Sequence, residues 1–159
     1  GLEFGFGTWG DDFKALHERY GVSFKANQKT TLDFVANVGA GGFDNPQICL
    51  KMGHVAPGVS IMAENFVITT DGEETPIDLS ATNVAKAWSE TAGRKTLSEK
   101  TANSVSTTLS GNAEDPYKAS TDIELKGINL ASSTTYRIKV DLTSSTAIER
   151  VSLMMGRPE

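Results

Sequence analysis

Side chains able to do chemistry occur in this sequence mainly as adjacent acids: Asp11/Asp12, Glu73/Glu74 and Glu114/Asp115. A glycoside hydrolase needs two carboxylates facing each other across the scissile bond. Neighbours on a strand point to opposite faces, and short acidic side chains at a turn or helix start cap the backbone or stay solvated. None of the three pairs meets the requirement. His17 and His54 stand far apart, without a His or Cys at metal-ligand spacing, and HExxH and CxxC are absent. So are the GxSxG elbow and the phosphate-binding glycine loops. Gly5, Gly7 and Gly10 only superficially resemble a dinucleotide fingerprint, because Asp11-Asp12 follows where a phosphate-binding helix should begin. The single Cys49, between Ile48 and Leu50, reads as a packed side chain or free thiol. No Cys/His pattern supplies a base for it, although an extracellular chain could use it to bridge two copies. No enzyme is expected.

Binding chemistry is better represented. Trp9, Trp88, Tyr20, Tyr117 and Tyr136 combine an apolar ring with a polar handle. Sugar rings stack their C–H faces on such rings, with amide, carboxylate and guanidinium groups hydrogen-bonding around them. Trp88 lies among Asn83, Lys86, Ser89, Glu90 and Arg94, and Tyr117 lies in a proline-containing loop. The expected ligand-binding set is therefore Trp88 and Tyr117, helped by Asn83, Arg94 and Asn112. Each Trp also has a simpler reading as a core residue. Loop carboxylates suit calcium, which makes Asp44, Asp71 and Asp78 candidate donors to a structural Ca2+, with Asn45 a further one.

Composition narrows the partners. At 159 residues the chain is the size of one domain, and a single β domain over 1–159 is expected. Hydrophobic content of 38% and charged content of 22% leave room for abundant Thr, Ser, Asn and Gly, which suits a loop-rich β protein outside the cell or on its surface. The net charge of −5 shows no basic cluster, so nucleic acid is not an expected partner. No apolar run approaches the roughly 18–20 residues of a membrane span, so no insertion is expected either. The chain reads as a mature protein or as a module of a larger one.

The elements that would position these residues are strands. Tyr136, Ile138, Val140 and Leu142 alternate with Arg137, Lys139 and Asp141, the pattern of a strand buried on one face. Val151, Leu153 and Met155 form another such run, and Ile123 with Leu125 a third. Strands this close leave no room for crossover helices, so the sheet is antiparallel. Leu2, Phe4 and Phe6 alternate with Glu3, Gly5 and Gly7, and the glycines suggest a bulge, a close approach or a sheet edge. A short helix is predicted next: Asp11 and Asp12 begin it, Phe13, Leu16 and Tyr20 recur at helical spacing, and Gly21 ends it. Val22 and Phe24 open a strand, Leu32 to Val38 alternate strongly, and Ile48, Leu50 and Met52 continue the pattern. Val59 with Ile61 and Phe66 with Ile68 read as two short strands, before a turn at Thr70-Asp71-Gly72-Glu73. Asn83 to Trp88 fits a turn of helix or a strand. The segment 98–119 fits an edge strand followed by a long exposed loop. The predicted class is all-β, an antiparallel β-sandwich with one short helix near the N-terminus.

Two segments near the end carry a family resemblance. Leu130-Ala131-Ser132-Ser133-Thr134-Thr135-Tyr136-Arg137-Ile138-Lys139-Val140 resembles the L-x-x-x-T-x-Y strand start of jelly-roll, galactose-binding-like carbohydrate-binding modules. Ala147-Ile148-Glu149-Arg150-Val151-Ser152-Leu153 is similar to their last strand, with Glu149-Arg150 where that family has an acidic pair. The resemblance covers about a fifth of the chain. It implies a jelly roll, a structural Ca2+ and non-catalytic glycan binding. The alternative expectation is a structural subunit of an extracellular filament, tube or shell. It would assemble with other copies by strand addition through Leu2, Phe4 and Phe6.

Overall fold

The computed structural model describes residues 2–8, 14–51, 58–81, 83–87, 95–110, 120–125 and 127–148. For 2–8, 14–21, 49–51, 83–87, 95–98, 109–110 and 120–123 it gives the backbone. The chain is built from antiparallel β-strands. One sheet holds β1 (Leu2–Thr8), β2 (Lys14–Val22), β5 (Gln47–Lys51), β8 (Asn83–Ala87) and β11 (Ser120–Glu124), in the order β2-β1-β5-β11-β8. The other holds β3 (Lys29–Asn37), β6 (Ser60–Thr70), β9 (Lys95–Lys100), β10 (Ser104–Ser110) and β13 (Thr135–Ser144), in the order β3-β13-β6-β10-β9. β7 (Glu73–Pro76) pairs with the far half of β6, and β4 (Phe43–Asp44) pairs with β12 (Asn129–Leu130). Edge strands of the two sheets approach one another, β2 beside β3 and β8 beside β9.

The second sheet follows its hydrophobic alternation. On β3, Leu32, Phe34 and Ala36 are buried; on β13, Tyr136, Ile138, Val140 and Leu142 are; on β6, Ile61, Ala63, Phe66 and Ile68 are. β13 pairs with β3 residue for residue from Thr135↔Asn37 to Thr143↔Lys29. Val22, Ile48, Leu125 and Leu130, from the first sheet and the adjoining loops, belong to the same buried cluster. β-branched and aromatic side chains on a pleated face supply this core by removing apolar area from water.

Several expectations change. The stretch predicted as a helix runs as strand β2 over Lys14–Val22, with Phe6 opposite His17, and 11–13 lie outside the described residues. A helix of about two turns is marginal in water, whereas strand pairing with β1 satisfies the same backbone. Val22 ends β2 and does not open a strand; Phe24 makes an isolated bridge to Ile148. The two short strands expected around Ile61 and Phe66 are one strand, β6, with an extra residue in the middle. Between Lys139 and Asp141 the register on β6 steps from Val67 to Glu64, which bulges the strand at Asn65, at φ 53°. The bulge slips the alternation by one residue, so the sequence looks broken while the strand is continuous. The segment 95–110 is a hairpin in which β10 lies inside the sheet and β9 lies at its edge.

Turn chemistry follows the sequence more closely. Asp71 (φ 51°) and Gly72 (φ 79°) make a two-residue connection with Thr70 opposite Glu73, a left-handed pair of the kind that matches strand twist. Gly42, at φ 65°, holds a left-handed backbone that strains other residues, and a Cβ there would press on the Leu130 carbonyl oxygen at 3.2 Å.

Candidate functional site

The two polar connections that carry most of the expected ligand-binding residues hang from neighbouring strand ends. Residues 88–94 lead from Ala87, the end of β8, to Lys95, the start of β9. Residues 111–119 lead from Ser110, the end of β10, to Ser120, the start of β11. Ser120 is the register partner of Ala87, and Ser110 is the register partner of Lys95. Both connections therefore pass between the same two pairs of strand ends, from one sheet to the other. Trp88 and Arg94 belong to one, Asn112 and Tyr117 to the other, and all four lie outside the described residues. Asn83 opens β8 opposite Glu124, at the other end of that strand from Trp88.

The candidate calcium donors occupy three separate local structures. Asp44 lies on β4 opposite Asn129; with the Asn129 amide assigned so that its nitrogen faces the acceptors around it, that nitrogen donates to Asp44 Oδ1 at 3.1 Å and to the Ile128 carbonyl at 3.3 Å. Asp71 forms the β6–β7 turn. Asp78 precedes a single 3-10 turn (Leu79–Ala81), where the Ser80 hydroxyl and backbone N–H donate to its Oδ1 at 2.6 and 2.9 Å. Those bonds hold the Asp78 carboxyl below its ordinary pKa. Asn45, in a left-handed conformation, accepts the Gly127 N–H at 2.9 Å through its side-chain oxygen. Among the described residues, no three His, Cys, Asp or Glu side chains gather. Asp44, Asp71 and Asp78 thus stand in three separate turns and strand ends. Glu73 and Glu74 lie side by side on exposed β7.

Leu2, Phe4 and Phe6 lie on β1, which is paired along both sides, with β2 and with β5. β1 is thus an inner strand and offers no open edge; strand addition through it requires one flank to be vacated. Against β2 the register shifts twice, between Leu2 and Phe4 and between Phe6 and Gly7, with the extra residue on β2 each time. Gly7 borders the second of these irregularities, and β1 lies inside its sheet, not at the edge that was one expectation for it.

Registry, which sequence does not display, brings other polar residues together on the outer face of β3, β13 and β6. Asp141 accepts the Thr31 hydroxyl at 2.6 Å and the Asn65 amide at 3.0 Å. Partial burial pushes its carboxyl pKa up, but the Thr31 and Asn65 bonds and the charge of Lys29 outweigh this and hold it below the ordinary value. One carboxylate so joins all three strands at the β6 bulge. Lys29 Nζ lies 3.1 Å from Glu64 Oε1, an ion-pair distance without hydrogen-bond alignment; that oxygen and Thr143 Oγ1 are buried without a hydrogen-bond partner. Arg137 donates to both oxygens of Asp33, at 2.8 and 2.7 Å, and the carboxylate raises the guanidinium pKa. With Arg137 60% exposed, solvent screens the pair and it adds little to stability. The Thr135 hydroxyl donates to Asn37 at 2.9 Å. These contacts brace the face, and nothing in their geometry pairs a nucleophile with a base.

The resembling segment is likewise built as scaffold. Leu130 and Tyr136 are buried, and the Tyr136 hydroxyl reaches back to accept the Ala131 N–H at 2.7 Å. That bond closes the turn before β13, as a tyrosine corner does at sheet crossings in β-sandwiches. The turn is held from outside by Ser133 N–H to the Gly39 carbonyl and Val38 N–H to the Thr134 carbonyl, both at 2.9 Å. Phe24 bridges Ile148, and 149–159, the remainder of the second resembling segment and the last predicted strand, lie outside the described residues. Compared with protein-family models, curated proteins and solved structures, the chain matches none.

Proposed function

We propose that this chain is a non-catalytic carbohydrate-binding or adhesive module, shaped as a β-sandwich, of a secreted or cell-surface protein. Trp88 and Tyr117 contact the glycan, with Asn83, Arg94 and Asn112 around them. The observation that carries this reading is the anchoring of 88–94 and 111–119 on the register pairs Ala87/Ser120 and Ser110/Lys95. Two polar, aromatic-bearing connections that start and finish together are a plausible cradle for one ligand, on a scaffold whose described ionisable pairs are occupied in bracing strands. Ring stacking would supply affinity and the amide and guanidinium groups would fix orientation. On an array of polysaccharides, the intact chain retains a glycan and Trp88→Ala loses it, while both give the same far-ultraviolet circular dichroism. Undiminished retention by a folded Trp88→Ala variant contradicts the assignment.

A second reading, a structural subunit of an extracellular assembly, is favoured by a separate observation. β1 fills the flank of β5 through main-chain pairing over Glu3–Lys51 to Gly7–Gln47, the kind of contact a strand from another copy could make equally well. Light scattering separates the two readings: a monomer favours the glycan module and large ordered particles favour assembly.

A further inference from the structure

The N-terminal hairpin meets the rest of its sheet through β1 alone, while β2 lies beside β3 of the other sheet. Only Glu3, Phe4, Gly5, Phe6 and Gly7 of β1 pair with β5, opposite Lys51, Leu50, Cys49, Ile48 and Gln47. Two of those five residues are glycines, which lose the most backbone entropy on being fixed and bring no side chain to cross-strand contact. Inside the hairpin the β1–β2 register shifts twice. Beyond the hairpin the chain is pinned again: Phe24 is buried and exchanges two main-chain bonds with Ile148, at 2.8 and 3.0 Å, and the Asn27 N–H donates to Ser144. The hairpin runs to Val22, which pairs with Leu2 and is buried in the core cluster, so exposed Ser23 alone separates it from that pin. A five-pair seam with two glycines, a one-residue link and a fixed anchor together describe an arm whose departure takes Val22 out of the core and leaves the pairing of β5 with β11 in place.

Departure of the arm uncovers the main-chain donors and acceptors of β5 on that side, while β11 continues to hold the other side. A bare strand edge is a template for another strand. The sequence that fits this edge in register is the hairpin itself, and every other copy of the chain carries one.

We propose that the β1–β2 hairpin is an exchangeable arm and that the partner of the β5 edge is the hairpin of a second copy of this chain. The proposal deepens the assembly reading above and rests on it. The same pairs form within a chain at low concentration and between chains at high concentration, because the contacts are identical and only association entropy separates the two states. Reciprocal exchange gives a closed dimer; one-directional exchange gives an open chain of subunits.

Cys49, the sole cysteine, provides the test, because its register partner is Gly5. Directly opposed residues in an antiparallel pair lie within the Cα separation a disulfide spans. A Gly5→Cys, Cys49→Ser copy mixed with the wild-type chain under mild oxidation can form a 5–49 disulfide only between two chains. The expected result is a reducible band of twice the chain mass on non-reducing electrophoresis, growing with protein concentration. Tryptic mapping should assign it to the 5–49 link, and Cys49→Ser alone should give no such band. Should Gly5→Cys not fold, Glu3→Cys and Lys51→Cys on separate Cys49→Ser copies repeat the test at the next register pair. Absence of the mixed disulfide, with Gly5→Cys in the Cys49 background closing only within the chain at every concentration, overturns exchange. Absence of any disulfide overturns it too, by removing the seam. If wild-type particles are nevertheless larger than one chain, the assembly reading stands with a different contact; if they are monomeric, both fall.

Discussion

β13 and β1 are both flanked on two sides, yet they are held in opposite ways. β13 pairs with β3 without interruption over Thr135 to Thr143, and its inward side chains from Tyr136 to Ser144 are buried at every second position. β1 meets β5 over five residues, two of them glycine, and shifts register twice against β2. Paired neighbours alone therefore do not make a strand secure. Regular alternation of large apolar side chains joins main-chain bonding to core burial, and each glycine in a seam withholds one side chain from cross-strand contact. One strand is a keel and the other a docked part.

The largest expected effect lies in the keel. Ile138 is 0% exposed at the middle of β13. Ile138→Ala should cost about 2–5 kcal/mol by removing buried methyl groups and leaving a cavity, a large share of a typical domain's stability. Chemical denaturation reads this directly. A loss below about 1 kcal/mol would erase the contrast between the two strands.

A smaller effect sharpens the same comparison at the bulge, where Asp141 joins β13 to Thr31 on β3 and Asn65 on β6. Asp141→Asn should cost about 1 kcal/mol at neutral pH, because the new amide presents an N–H₂ to one of two former donors. The pH dependence has a definite sign. The Asp141 pKa is lowered from 3.8 in the folded chain, so its contribution is fully present above that value and disappears as pH falls through it and through the folded value beneath. The difference in thermal midpoint between wild type and variant should close as the solution is acidified below that range. A difference independent of pH would show that charge on Asp141 does not matter.

The keel was legible in the sequence because its period is two and its side chains are large. The strands around Phe34, Ile48 and Ile138 emerge where alternation predicts them, and Asp71-Gly72 turns where its backbone preferences require. The helix at residues 11–21 was misread because Leu16 and Tyr20 also lie an even number of residues apart, a spacing compatible with a strand as well as a helix. Pairing with β1 decided between them. The unity of β6 was hidden by Asn65, one residue whose left-handed backbone moves all later side chains to the other face. The role of β1 was half visible: Gly7 borders irregular pairing with the neighbouring β2, but the other flank, at Gly7↔Gln47 to Glu3↔Lys51, joins residues far apart in the chain. Similarly, no local pattern reveals that Asp141, Thr31 and Asn65 meet, since registry across three strands brings them together. The binding candidates Trp88 and Tyr117 were visible only as residue types, and what the fold adds is the shared anchoring of their connections.

The most direct test of the contrast between keel and docked part is native-state hydrogen exchange followed by NMR. The amides that join Glu3–Gly7 to Gln47–Lys51 should open in a local event and exchange at least about tenfold faster than those joining Arg137–Leu142 to β3, whose exchange should track global unfolding. Equal protection of the two seams would contradict the account, because the hairpin would then be as firmly built into the fold as β13.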